Sequence, residues 1–144
     1  MKTLFDTSVL VAGLVGSLPA HERAFTWLQR AKTGELEFLV ATHSLAELYS
    51  VLSTLPARPR ISPADAQRLV HENVGSTASL ISLSAADYRS TLVRMAELGL
   101  SGGAVYDALI ARAAEKSGAE RLLTLNPDDF RRVWPEGKSR IHVP

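Results

Sequence analysis

Asp107 is the residue whose surroundings most need a chemical explanation. On a helix, its neighbours three and four positions away are Gly103, Ala104, Ile110 and Ala111, so a carboxylate shares a face with small and apolar side chains. A carboxylate on such a face is costly unless a cation or several donors meet it. A buried salt bridge with Arg112 or Arg121 is the competing explanation. Asp6 stands where a short first strand ends, and Asn126, Asp128 and Asp129 follow a late strand. In open parallel sheets, ligands bind beyond the carboxyl ends of the strands. Capping at Asp6 and a simple turn at Asn126-Pro127 are the bland alternatives. Glu47 closes Ser44-Leu45-Ala46-Glu47, a capping-box pattern like Ser62/Asp65 and Ser84/Asp87, and taken alone it reads as a cap. It also lies on the flank of a leucine stripe, from which it can reach a pocket. Acids gathered in one place repel and raise one another's pKa. A hard divalent cation with oxygen ligands removes that conflict.

The elements that must position these residues alternate along the chain. Lys2 to Phe5 reads as a strand, followed by the apolar stretch Ser8 to Val15. Pro19-Ala20-His21-Glu22 opens a helix closed by Gly34, and Leu36 to Val40 is the next strand. Thr42 or Ser44 caps a helix whose Leu45, Leu48, Leu52 and Leu55 form a three-four stripe, broken by Pro56 to Arg60. Ser62-Pro63-Ala64-Asp65 starts a helix that ends near Asn73 to Gly75. A strand over Ser79 to Leu83 precedes a helix from Ser84 to Gly99. An alanine-rich helix covers Ala104 to Lys116, Arg121 to Leu125 is a strand, Asn126 to Asp129 a turn, and Ile141 to Val143 a last edge strand. This order implies one α/β domain over residues 1–144, a three-layer α/β/α architecture with a mostly parallel central sheet.

Composition narrows the function classes. At 144 residues with 46% hydrophobic content, the chain supports one compact core. It has no cysteine, which excludes disulfides, thiolate zinc sites and cysteine nucleophiles, and which suits a reducing cytoplasm. An acid at position 6 arrives too early for a signal-peptide apolar region, and no apolar run approaches the roughly 20 residues of a membrane span. The net charge of +1 is too small to mark a passive nucleic-acid binder, but it leaves room for an acidic centre in a more basic surround. Phosphate-binding glycine motifs are absent, as is H-E-x-x-H; the four histidines are scattered and read as surface or packing residues. Asp6-Thr7-Ser8 lacks the second aspartate of an aspartyl-phosphate phosphatase. Ser8 and Ser44 have no nucleophile-elbow setting.

Four segments together resemble the PIN-domain ribonucleases, in particular the VapC-like toxins of bacterial toxin–antitoxin pairs. They are Phe5 to Leu10, Thr42 to Glu47, Leu100 to Ala111 and Leu122 to Phe130, in the family's order and spacing and across nearly the whole chain. The resemblance implies that Asp6, Glu47 and Asp107 hold the family's acidic positions, with Asp6 and Asp107 as ligands of Mg²⁺ or Mn²⁺. It places Asn126 where the family often has a fourth acid, which leaves one position neutral. Thr7, Ser8 and Thr124 are then supporting hydrogen-bond donors to the carboxylates or to nearby water, or else local turn caps. Asp128 or Asp129 can compensate for that neutral position, with Asp129-Phe130 as the anchor of the turn the favoured reading. Arg58, Arg60, Arg131 and Arg132 are candidates for gripping RNA phosphates, and equally ordinary solvated charges. Tyr49 and Tyr106 are placed for base stacking, with core packing the safer expectation. The implied activity is endoribonuclease cleavage leaving a 5′-phosphate and a 3′-hydroxyl, by a cytoplasmic homodimer restrained by a cognate antitoxin. A catalytically weak or inactive PIN-fold module that binds RNA or protein is the alternative. A phosphatase or branched-DNA nuclease is a more distant one.

Overall fold

A computed structural model describes all 144 residues. Five strands, β1 (Lys2–Phe5), β2 (Glu37–Ala41), β3 (Ser79–Ile81), β4 (Arg121–Leu123) and β5 (Ile141–His142), form one sheet in the order β3-β2-β1-β4-β5. Every pairing is parallel. The strands are short, and their alternation sorts the core onto two faces. Leu4, Leu39, Ala41, Leu122 and Ile141 point to one side, while Phe5, Phe38, Val40 and Leu123 point to the other.

Helices cover both faces. α1 (Thr7–Leu14), α2 (His21–Lys32), α3 (Thr42–Thr54) and α4 (Pro63–Val70, continued by a π turn to Gly75) pack on the Phe5 side. α5 (Ala85–Leu98), α6 (Ala104–Ser117) and α7 (Pro127–Val133) pack on the Leu4 side, followed by a 3₁₀ turn over Pro135–Arg140. The three-layer expectation therefore holds. Gly99 and Gly118 end α5 and α6 in the left-handed region, each with φ 68°, a conformation that glycine adopts without a Cβ penalty. β1 pairs with β2 on one flank and β4 on the other, so the chain winds outward in both directions from β1. That switch point opens a crevice at the carboxyl ends of β1 and β4.

Three local readings change. The apolar stretch after Asp6 is helix α1; it shows no polar stripe because it is buried against α2, α3 and the sheet. Asn126 to Asp129 is not a free turn but the start of α7, with Pro127 at its first position, two acids in its first turn and two arginines in its last. At the start of α3, β2 runs into the helix with no intervening loop, and Ala41 occupies the cap position. The Ser44/Glu47 capping box therefore does not form, whereas Ser62 and Ser84 cap as expected.

Asp87 illustrates an acid used for structure alone. It completes the Ser84 capping box and accepts from Lys116 at 2.7 Å and Arg112 at 3.0 Å. The Lys116 ammonium, then the Ser84 backbone N–H, hold its carboxyl well below the usual range against the cost of burial. The sign follows directly: this anchor stabilises the fold above about pH 4, where an unfolded aspartate ionises, and is lost as pH falls toward the folded value. Asp87→Asn is expected to lower the melting temperature at pH 7, with the gap from wild type closing as pH is taken below 4. A gap that stays constant with pH contradicts this.

Candidate active site

The crevice is built from the segment that leaves β1, the first turn of α3, the first turn of α6 and the segment that follows β4. Asp6 occupies the N-cap of α1 and is only 4% exposed. Its Oδ1 accepts the Thr7 N–H at 2.8 Å, and its Oδ2 accepts the Ser8 hydroxyl at 2.7 Å and the Thr124 hydroxyl at 2.9 Å. Both hydroxyls are themselves acceptors, from the backbone N–H of Leu125 at 3.0 Å and of Asn126 at 2.9 Å. With their lone pairs so engaged, each hydroxyl aims its proton at Asp6. Capping and site geometry thus belong to one arrangement: α1, β4 and the segment after it are tied together through a single carboxylate. Burial nevertheless outweighs these three donors and the pKa of Asp6 is raised, with the Glu47 charge adding to the rise.

Thr124 carries two of these bonds and is fully buried. Thr124→Val removes one donor from Asp6 and strands the Asn126 N–H. It is expected to cost about 1–3 kcal/mol in urea unfolding, the usual penalty for leaving buried polar groups unpaired. Unchanged stability would mean that the network contributes nothing.

Asp107 sits in the first turn of α6, half-buried, and no hydrogen bond or ion pair engages its carboxyl. The salt-bridge explanation is excluded by where its proposed partners go. Arg112 binds Asp87 and Glu115, and Arg121 stacks on Trp27 with its guanidinium 4.9 Å from the ring centre. The Asp107 carboxyl is pushed up to about 6 by burial first, then by the charges of Asp6, Asp129 and Glu47, with Arg132 pulling the other way. The charges of Asp6 and Glu47 thus bear on Asp107, and that of Glu47 also on Asp6. These acids do not form a tight cage, since no three acidic or imidazole side chains converge closely enough to hold an ion unaided.

Asn126 lies beside the pocket through its backbone; its side chain is exposed and caps nothing. Asp129, weighed from the sequence as a turn anchor or as a compensating acid, lies in the first turn of α7, and its charge adds to the rise at Asp107. Its signal was the helical spacing from Pro127, which becomes visible only once α7 is recognised. Thr7 contributes its backbone N–H, and its buried hydroxyl has no partner. Among the basic candidates, Arg132 bears on Asp107, Arg131 is paired with Asp128 at 2.8 Å, and Arg58 and Arg60 are exposed on the segment between α3 and α4. The tyrosines depart from the core-packing expectation: Tyr106 is 59% exposed and Tyr49 40%.

A separate groove lies away from these acids. It encloses about 430 Å³ between α5, α6 and the chain after α7, over Ala111 and Trp134, and the paired Arg94–Glu136 and Arg112–Glu115 rim it. None of the three acids lines it. The unpaired, half-buried carboxylate of Asp107, rather than this groove, is the better candidate for chemistry.

Comparison with known proteins agrees with this geometry. Residues 3–134 match the PIN domain family. The chain is 37% identical over 138 residues to ribonuclease VapC40 of Mycobacterium tuberculosis, covering 96% of this chain and 94% of that one. It is 38% identical over 115 residues to ribonuclease VapC27 of the same organism, covering 80% and 78%. Among solved structures, VapBC2 from Rickettsia felis, bound to a DNA fragment from its promoter, matches with a TM-score of 0.64 at 19% identity, over 100% of this chain and 99% of that one. Mycobacterium tuberculosis VapC20, described as a toxin that cleaves the sarcin-ricin loop, matches with a TM-score of 0.61 at 17% identity, over 83% and 86%. With sequence and fold in agreement, this chain belongs to the PIN-domain family, among its VapC-like members.

Proposed function

We propose that the chain is a Mg²⁺- or Mn²⁺-dependent endoribonuclease acting as the toxin of a toxin–antitoxin pair. One observation carries the reading. Asp107 is half-buried, no hydrogen bond or ion pair engages its carboxyl, and the charges of Asp6, Asp129 and Glu47 bear on it. A fold without a cation to bind has no reason to keep that arrangement. Relatives named as ribonucleases, alike over most of the chain, supply the substrate class.

The donors fit a hard divalent ion. They are carboxylate oxygens, with Asp6 and Asp107 as the ligands, and an open set of two suits an ion that keeps several waters. When bound, the ion supplies Lewis acidity toward a phosphate oxygen and eases ionisation of water. The chain's own residues do the rest. Ser8, Thr124 and the Thr7 N–H fix Asp6 in one orientation. Glu47 orients the attacking water or takes its proton. Asn126 leaves the fourth acidic position neutral, and Asp129 adds a negative charge that Asp107 feels. Arg132 offsets part of the negative charge that repels RNA, Arg58, Arg60 and Arg131 add weaker phosphate contacts, and exposed Tyr106 offers a face for stacking a base. Cleavage leaves a 5′-phosphate and a 3′-hydroxyl.

The protein acts in the cytoplasm; no helix is long and apolar enough to cross a membrane. Exposed Tyr88, Leu92 and Val93 on α5 and Leu80 on the edge strand β3 supply an apolar face for a homodimer. A cognate antitoxin silences the enzyme by filling the acidic pocket, with an arginine in place of the ion. The loose donor set and the neutral Asn126 favour one second reading, a weak or inactive module that binds RNA. Sequencing of RNA ends after incubating total bacterial RNA with the protein separates the two. Cuts that vanish with EDTA and with Asp6→Asn support the nuclease; absent or metal-independent cutting supports the binding module.

A further inference from the structure

Four buried side-chain polar atoms lack a hydrogen-bond partner, and all belong to the first two turns of two helices: Thr7 Oγ1 on α1, and His43 Nε2, Ser44 Oγ and Glu47 Oε1 on α3. α1 and α3 pack against each other at the carboxyl ends of β1 and β2. Buried polar atoms are ordinarily satisfied, so a cluster of exceptions in one corner needs a reason. Two of the four are neighbours. His43 Nε2 lies 2.9 Å from Glu47 Oε1, close enough to bond but without the alignment a hydrogen bond requires. The torsions next to an imidazole and a carboxylate are broad, so small rotations supply the alignment. The separation of four residues along α3 holds the pair together whatever those rotations are.

We propose that His43 is the positioning residue of Glu47: its ring Nε2–H fixes the carboxylate in the orientation from which it acts on Asp6, Asp107 and the attacking water. A long glutamate in an open crevice has several rotamers, and only some face the other acids. Glu47 is the only acid within ion-pair distance of the His43 ring, so the imidazole works through Glu47 rather than on the ligands. An ordinary surface pair does not account for the contact. The side chains are only 21% and 37% exposed, and the touching atoms are shielded from water. The inference rests on Glu47 belonging to the reaction centre as proposed above.

Cleavage of total bacterial RNA with Mn²⁺ tests it, using wild type, His43→Ala, His43→Gln, Glu47→Gln and the His43→Ala/Glu47→Gln double variant. His43→Ala is expected to slow cleavage about 10–100-fold at saturating RNA, the range for groups that orient a catalytic residue. The half-saturating RNA concentration should not move. His43→Gln, which also presents an N–H, should recover most of the rate, and adding His43→Ala to Glu47→Gln should cost nothing further. In the metal-free protein, Glu47→Gln should shift the His43 ring ¹⁵N resonances. Wild-type cleavage by His43→Ala beside an inactive Glu47→Gln overturns the positioning role alone, as do additive losses in the double variant or unmoved ring resonances. A wild type that does not cleave, or a Glu47→Gln variant as fast as wild type, overturns the nuclease reading and this inference with it. If His43→Ala does not fold, His43→Gln and the ring resonances decide the question.

Discussion

Asp107→Asn is expected to cut RNA cleavage about a thousandfold while raising the melting temperature of the metal-free protein. The two effects come from one cause. In the empty pocket, ionised Asp107 is half-buried and faces the charges of Asp6, Asp129 and Glu47, and no cation within the chain pairs with it. Asparagine keeps the shape and removes the repulsion. With the divalent ion present, the same substitution deletes one of two proposed ligands, and a loss of that size is what a group stabilising charge at the reacting centre is worth. Residues that serve stability alone lose both properties together, as Asp87→Asn should for the fold. Thermal melts in EDTA beside RNA cleavage in Mn²⁺ separate the cases. A less stable metal-free variant, or one that still cuts at the wild-type rate, contradicts the assignment.

The second large effect is a dependence of ion binding on pH. The folded carboxyl of Asp107 ionises near 6, whereas an unfolded aspartate ionises near 4. Between these values the folded chain holds a proton that the unfolded chain releases. This group's contribution to stability is therefore greatest below about pH 4 and falls as pH rises through 6. Complete burial would make a two-unit shift worth about 3 kcal/mol. Half-exposed in water, Asp107 contributes closer to about 1 kcal/mol. Asp6, also raised, acts in the same direction. A divalent ion must displace these protons, so it binds well only above the folded value. Mg²⁺ is thus expected to raise the melting temperature at pH 7.5 and to have little effect at pH 5, and cleavage should fall away below about pH 6. An equal Mg²⁺ shift at both pH values contradicts the coupling.

Much of this site was legible before any coordinates, for identifiable reasons. Asp6 directly follows a short buried strand, and the position beyond a strand end is where an open sheet binds ligands. Asp107 stood out because helical spacing set it among Gly103, Ala104, Ile110 and Ala111. Other features were masked by competing local rules. Ser44 and Glu47 satisfy a capping pattern, but β2 enters α3 without a loop, which buries the Ser44 hydroxyl and frees Glu47 for the crevice. Asn126-Pro127 spells a turn as readily as a helix start, and that hid α7, leaving the choice between Asp128 and Asp129 open. α1 lacks a polar face, so periodicity had nothing to detect. The closeness of His43 and Glu47 follows from helical spacing, but the shielding of their touching atoms depends on neighbours distant in sequence.

Diffraction from crystals soaked in Mn²⁺, recorded at the manganese absorption edge, bears most directly on whether these acids act on a common ion. A single anomalous peak between the side-chain oxygens of residues 6 and 107, gone after Asp107→Asn, is the predicted result. A fully occupied manganese at another place on the protein, with this crevice empty, would contradict the account.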